Sequence, residues 1–450
     1  MEKFFKITER GSTLSTEILA GITTFLTMAY IIFVNPSVLS LDGAPIGVPW
    51  NAAFMATCVG AGAMCLLMGL WANRPIALAS GMGLNAVVAY TLIGSVGVDW
   101  RVAMSVIFIE GVIITICVAA GLREAVLDAI PVNLRRAIGV GIGLFIAFIG
   151  FKNAGIVVSN PDTFLAMGNL TAWPVVVAIV GIAVTAICMA FRIKGDILIG
   201  IAAATIVAFF TGVAKLPTAV VSLPDFATSF ASFGAPFQTV DGTMAILKVF
   251  TSGSLLLFVF SILMTDFFDT MGTLVAVGEE AGFVDDKGNI EDVKPMLLVD
   301  SISAAFGGLI GASSITSYIE SGSGVSGGGR TGITVIVTGL LFLLAIFFLP
   351  IVGIVPAEAT AGALIIVGCL MCAPIRHIDW SDFEVAFPSF ITLVMIPLTY
   401  NITNGIGWGF ISYVVIKLGR GKIKEIKPLM WVTSLAFLLV FLEPIYSKYL

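Results

Sequence analysis

Apolar residues run through this chain in long uncharged stretches, such as Ile18 to Val34, Ile197 to Ala214 and Thr331 to Val355. Each approaches the roughly 20 residues a helix needs to cross a hydrocarbon core about 30 Å thick, so the pattern predicts membrane-spanning helices. About fourteen spans are expected, over residues 14–36, 51–72, 76–93, 101–121, 134–152, 172–191, 196–214, 249–277, 295–311, 313–331, 332–350, 356–374, 385–400 and 402–418. Leu429 to Leu442 is either a fifteenth span or a short helix lying at the interface. The first stretch follows Lys3, Lys6 and Arg10, as a secretory signal would. It is long for a signal and leads into Asn35-Pro36 without a small-residue cleavage site, so it is read as a span.

Composition and charge agree with this pattern. Of 450 residues, 58% are hydrophobic and 11% charged, against about a quarter charged in a soluble domain. The net charge of -5 is small and spread over short loops, which argues against a nucleic-acid or polyanionic partner. With the N-terminus in the cytoplasm, Arg101, Lys152, Lys215 and Lys248 fall outside and Lys448 follows the last apolar stretch. The other Lys and Arg residues, from Lys3 and Arg74 through Arg123, Lys194, Lys287 and Arg330 to Lys427, fall inside, as the positive-inside rule requires. Cys58, Cys65, Cys117, Cys188, Cys369 and Cys372 all lie in apolar stretches. Cys369-x-x-Cys372 has no second Cys/His pair, so helix packing is preferred to a metal or redox site.

The third and tenth spans share a pattern. Ser80-Gly81-Met82-Gly83 and Ser321-Gly322-Ser323-Gly324 each follow an extended-looking segment and precede a stretch that can be helical. Their offset of 241 residues (321 − 80) is close to the 235 (249 − 14) separating the first and eighth spans, which points to two seven-span halves. Seven is odd, so the halves are inverted, and inverted repeats place their site where the repeats meet. Pro131 and Pro356, before the fifth and twelfth spans, echo the match. Extended backbone at membrane depth must pair within the protein or line a cavity. Two such segments can pair with each other and aim the free N–H groups of their half-helices at a midplane pocket. The alternative is that Gly and Ser only allow close helix packing.

Carboxylates fall in the same region. Asp266 and Asp269, with Thr270 and Thr273, share one face of the eighth span. Glu320 precedes the second Ser-Gly-x-Gly, Asp300 opens the ninth span, and Glu110 lies midway along the fourth. A charged side chain at the bilayer centre costs about 2.5–3.5 kcal/mol, so several together imply substrate or proton sites unless they are protonated acids that hydrogen-bond between helices. The sole histidine, His377, lies in a polar loop and is read as solvated.

Ser80-Gly-Met-Gly-Leu-Asn85, Asp266-Phe-Phe-Asp-Thr-Met-Gly-Thr273, Thr316-Ser-Tyr-Ile-Glu-Ser321 and Gly327-Gly-Gly-Arg-Thr-Gly332 resemble the azaguanine-like purine permeases, the hypoxanthine/guanine branch of the nucleobase/ascorbate transporter family. The likeness runs from Gly11-Ser-Thr to Asn401-Ile-Thr-Asn-Gly405. It implies an all-α polytopic membrane protein with a core domain (14–121 and 248–352) moving against a gate domain (122–215 and 353–418), followed by an extra apolar segment (428–446). It also implies import of purine bases with protons through the cell membrane. Purine contacts are expected from Asn85, Asp269 and Glu320, with Ser80, Gly81, Gly83, Ser321 and Gly322 around them. Proton coupling is expected from Asp266, Asp269, Asp300 and Glu320. Where some relatives in the wider family have a histidine on the eighth span, this chain has Thr273. The expected partners are a purine base, protons, the bilayer and a second copy of the chain in a homodimer. No cofactor, metal or nucleic acid is expected.

Hypoxanthine or guanine is the preferred substrate, with adenine the near alternative. An anion transporter or exchanger of related architecture would use the same half-helix dipoles but would want a cation at the site. A membrane-embedded enzyme would need a nucleophile and base or a metal set, and the sequence offers one loop histidine and no H-E-x-x-H.

Overall fold

A computed structural model describes residues 2–121, 130–216, 219–283, 290 and 292–442. Arg123, Lys287, Lys448 and residues 443–446 of the expected last segment lie outside the described residues. The fold is mostly helical. Nine helices among the described residues are long and apolar enough to cross a membrane: Leu14–Leu39, Trp50–Ala72, Trp100–Ala119, Val132–Asn153, Trp173–Ala190, Gly253–Ala281, Val293–Ile310, Gly332–Val352 and Ala357–His377. Each coincides with an expected span. Three more expected spans form helices, Asp196–Thr211, Phe383–Leu398 and Ile402–Gly419, and the remaining two, 76–93 and 313–331, are broken. The last apolar stretch is the helix Pro428–Phe441 of 14 residues, packed on Ile402–Gly419. At 1.5 Å per residue it is about 21 Å long, short of a bilayer core.

Helix ends follow local chemistry. The side chains of Thr13, Asp99, Thr331, Asp382 and Asn401 accept the N–H groups of Thr16, Arg101, Ile333, Glu384 and Asn404, satisfying donors that a helix start leaves free. Gly212, Gly282 and Gly311 close helices with φ of +74°, +79° and +85°, where a side chain would strain the backbone. The first span breaks in two, Leu14–Met28 and Ile31–Leu39, with Tyr30 at the joint.

The helices pack in two sets. Leu14–Met28 and Trp50–Leu67 pack on Gly332–Ala345, and Trp100–Ala119 packs on Val293–Ile310 and Gly253–Ala281. Val132–Asn153, Trp173–Ala190, Asp196–Thr211, Ala357–Met371, Phe383–Leu398 and Ile402–Gly419 pack on one another. Small residues make the crossings tight: a Cβ on Gly111 would lie 2.2 Å from Ala305 N, and one on Gly308 would lie 2.5 Å from Phe108 N. Both would collide with backbone, so the Trp100–Ala119 and Val293–Ile310 helices touch main chain to main chain at these glycines.

The extended segments expected in the third and tenth spans are present. Strand β1 (Leu78–Ser80) leads through Gly81 into a short helix, Met82–Ala86, which opens into a wider turn to Ser95. Strands β2 (Val157–Asn160) and β3 (Phe164–Met167) form one surface hairpin, and β4 (Thr239–Val240) and β5 (Thr243–Met244) another. Strand β6 (Ile315–Ser317) leads into the second half-helix, Ser321–Ser326. Strands β1 and β6 pair antiparallel with each other, Leu78 opposite Ser317, Ala79 opposite Thr316 and Ser80 opposite Ile315.

The pairing is centred on Ala79 and Thr316, 237 residues apart (316 − 79), so Ser80 faces Ile315 and Ser321 lies four residues past the end of β6 at Ser317. The breakers are chemically alike because both chains must leave an extended segment for a helix. The first does so at Gly81 immediately, the second only after Tyr318 and Ile319.

Candidate functional site

The strand crossing is held by side chains from both broken segments. Ser321 Oγ accepts Ala77 N at 2.9 Å and donates to Tyr318 O at 2.6 Å. Tyr318 donates its N–H to Ala77 O and its hydroxyl to Ser80 O, and Gly81 N donates to Ser314 O. The Ser321 hydroxyl, expected to face substrate, has thus given its one proton to the scaffold. Ser80 is fully buried and its Oγ has no partner among the described residues.

Asp300 anchors β6 to the helices behind it. Its Oδ1 accepts Ser317 N at 2.8 Å, Ser317 Oγ at 2.7 Å and Thr316 Oγ1 at 3.4 Å, and its Oδ2 accepts Thr270 Oγ1 at 2.6 Å. A buried carboxylate with four donors is well satisfied without a cation. Asp266 is less so. Ser314 Oγ donates to its Oδ2 at 3.2 Å, and its carboxyl lies against that of the fully buried Glu110, acid to acid.

Asp269, nearly one turn further along the same helix, keeps exposed surface yet is crowded by protein. Its carboxylate neighbours are Asp300 and Glu320, and Tyr318 lies close to both Asp269 and Glu320. Glu320, at the start of the second half-helix, is half-buried and accepts the Tyr30 hydroxyl at 2.8 Å. Asn85, on the first half-helix, is fully buried. Its Nδ2 donates to Asn35 Oδ1 at 2.6 Å, and Asn35 in turn donates to Thr57 Oγ1 at 2.8 Å, leaving Asn85 Oδ1 without a partner among the described residues. None of Asp266, Asp269, Asp300 and Glu320 pairs with a Lys or Arg among the described residues.

The glycines named as site residues are places of close approach. A Cβ on Gly81 would lie 2.8 Å from Thr316 Cγ2, and one on Gly322 2.9 Å from Glu280 Oε2. One on Gly83 would lie 2.9 Å from Ile142 Cγ2, so the first half-helix meets the second packing set there.

The family model Xan_ur_permease, described as "Permease family", matches residues 15–407. The adenine permease AdeP of Escherichia coli (strain K12) is 42% identical over 98% of this chain and 96% of its own length. The guanine/hypoxanthine permease PbuG of Bacillus subtilis (strain 168) is 41% identical over 98% and 99%.

This chain belongs to the nucleobase/ascorbate transporter family of permeases.

The permease also shares its fold with solved membrane transporters. The transmembrane domain of the cyanobacterial bicarbonate transporter BicA superposes with a TM-score of 0.62 at 15% identity, covering 87% of this chain and 97% of that one. The murine anion transporter Slc26a9 gives 0.62 at 10% identity, covering 91% and 69%. The permease is thus a multi-pass membrane transporter rather than an enzyme. Among its described residues no group of three or more His, Cys, Asp or Glu is arranged to hold a metal. His377 is exposed at the end of a short turn, Ala373–His377.

Of the ten residues singled out from the sequence, Asp269 and Glu320 are carboxylate neighbours, and Asp266, Asp300 and Asn85 are buried. Tyr30 and Asn35 were missed. Both are polar residues inside the expected first span, 14–36, and Tyr30 marks its break, which was the available signal.

Proposed function

We propose that this permease imports a purine base together with a proton across the cell membrane, its N-terminus in the cytoplasm. Guanine or hypoxanthine is the preferred substrate and adenine the alternative. The observation that carries the reading is the pairing of β1 with β6. It brings two half-helices to one place, beside the exposed carboxylate Asp269 and the half-buried Glu320, neither of which pairs with a Lys or Arg among the described residues. A purine's ring and exocyclic N–H groups suit carboxylate acceptors, and its ring nitrogens and carbonyl suit half-helix N–H groups and the Asn85 amide. The relatives of near-equal similarity named for adenine and for guanine/hypoxanthine keep both bases in the proposal.

In this reading fourteen spans form two inverted halves, a core (14–121 and 248–352) carries the base, and it moves against a gate (122–215 and 353–418). The two packing sets and the 237-residue offset support that division. Glu320 or Asp269 takes a proton from outside and releases it inside with the base.

Competition by hypoxanthine, guanine, adenine and xanthine against one labelled purine, in cells lacking their own purine permeases, tests the substrate class. Displacement by purines and loss of accumulation when the proton gradient is collapsed are expected. Accumulation that survives collapse but follows external sodium would overturn proton coupling. Uptake of bicarbonate or sulfate with no purine uptake would overturn the substrate class.

A further inference from the structure

The run Gly327-Gly-Gly-Arg-Thr-Gly332 takes no part in the carboxylate chemistry, yet it closes the element that presents Glu320. The second half-helix has six residues, too few to hold its shape alone, so its position is set by what grips its ends. Asp300 grips the strand in front of it. Behind it, Arg330 folds back: Nη1 donates to Val325 O at 2.6 Å and to Gly329 O at 2.8 Å. A cation there meets the negative end of the helix and satisfies carbonyls the helix leaves free.

The main chain of Arg330 is gripped from the other side by Glu17, on the Leu14–Met28 helix. Glu17 Oε1 accepts Arg330 N at 2.9 Å, and Oε2 accepts Thr331 N at 3.2 Å and Thr334 Oγ1 at 2.6 Å. Glu17 is fully buried and all three of its donors are neutral, so it acts here as a fixed acceptor at the start of the Gly332–Ala345 helix. The Leu14–Met28 helix also lies against the half-helix. A Cβ on Gly324 would sit 2.7 Å from Ala20 O, and Gly328, at φ +98°, makes the turn between the two grips. Tyr30, just beyond the end of that helix, reaches Glu320 itself.

We propose that Arg330 and Glu17 are positioning residues for substrate recognition: holding the 327–329 turn from two sides, they fix the half-helix that presents Glu320 and so set the affinity for the base. The inference rests on the proposed contact between Glu320 and the purine. Lysine at 330 keeps the charge but lacks the rigid guanidinium plane that holds Nη1 between the two carbonyls. Glutamine at 17 keeps the shape but turns one acceptor into a donor facing donors.

The test measures uptake kinetics, and equilibrium binding to purified protein, for Arg330→Lys, Glu17→Gln and Glu320→Gln, with labelled hypoxanthine and adenine as probes. Arg330→Lys and Glu17→Gln are expected to fold and to raise KM and Kd about tenfold, with Vmax per folded transporter within about twofold of wild type. Three results overturn the inference: unchanged KM and Kd in either variant, a fall in Vmax alone, or loss of folded protein in both, which would make the pair purely structural. If Glu320→Gln binds like wild type, the reading of Glu320 itself has failed. If Glu320→Gln loses binding and the other two do not, only the positioning role has failed.

Discussion

Replacing Glu320 with glutamine is expected to cut uptake of labelled hypoxanthine about a hundredfold while leaving the amount of folded protein near wild type. Glutamine keeps an acceptor for the Tyr30 hydroxyl, which now reaches Glu320 at 2.8 Å, so the local scaffold survives. It removes the charge and offers the base a donor where the carboxylate offered only acceptors, so a purine N–H loses a charge-assisted bond and meets another donor. The half-burial of Glu320 strengthens that bond relative to one in water. Asp269→Asn should behave alike, since Asp269 is the accessible carboxylate on the opposite helix. Wild-type uptake in both variants would remove these residues from the site.

Asp300→Ala should act at a different level. Four donors converge on this carboxylate, from Ser317 N, Ser317 Oγ, Thr316 Oγ1 and Thr270 Oγ1. Alanine leaves them without their acceptor in a buried place, at about 1–3 kcal/mol for each group left unsatisfied. The sum rivals the whole stability of a typical domain, about 5–15 kcal/mol. The expected outcome is little or no monodisperse protein after detergent extraction, or a large drop in melting temperature. Asp300→Asn should fold, because the asparagine oxygen still serves the Ser317 donors and the Thr270 hydroxyl can turn to accept. A stable Asp300→Ala that has lost only proton-driven accumulation would instead assign Asp300 to coupling. The contrast matters because the sequence alone grouped Asp300 with Asp266, Asp269 and Glu320, whereas its hydrogen bonds set it apart as the anchor of β6.

Much of the fold was legible because lipid imposes a strict length rule. Nine expected spans coincide with apolar helices, and the two broken ones announce themselves by Ser and Gly followed by helix-forming residues. The register was not legible. Ser80 and Ser321 look equivalent in sequence, but register is fixed by the backbone pairing of β1 with β6 and by which hydroxyl reaches Asp300, and those are three-dimensional facts. Glu17 was overlooked for a related reason. Close to Lys3, Lys6 and Arg10 it reads as a surface charge, and only the folding of the 330–334 segment over the first helix buries it. Tyr30 and Asn35 were hidden by apolar neighbours, although a lone polar side chain inside a span needs a partner, and each has one. Asp269 and Glu320 stand out in the sequence because an acid in an apolar span is costly enough to require a use.

The central claim is that a purine base sits where the two broken segments cross, between Glu320 and Asp269. Equilibrium binding of labelled hypoxanthine and adenine to the purified permease, in wild type, Glu320→Gln and Asp269→Asn, tests it most directly because transport and coupling play no part in the readout. Saturable binding of a purine by wild type, weakened about tenfold or more in each folded variant, is the predicted result. Equal binding by all three proteins would contradict the account.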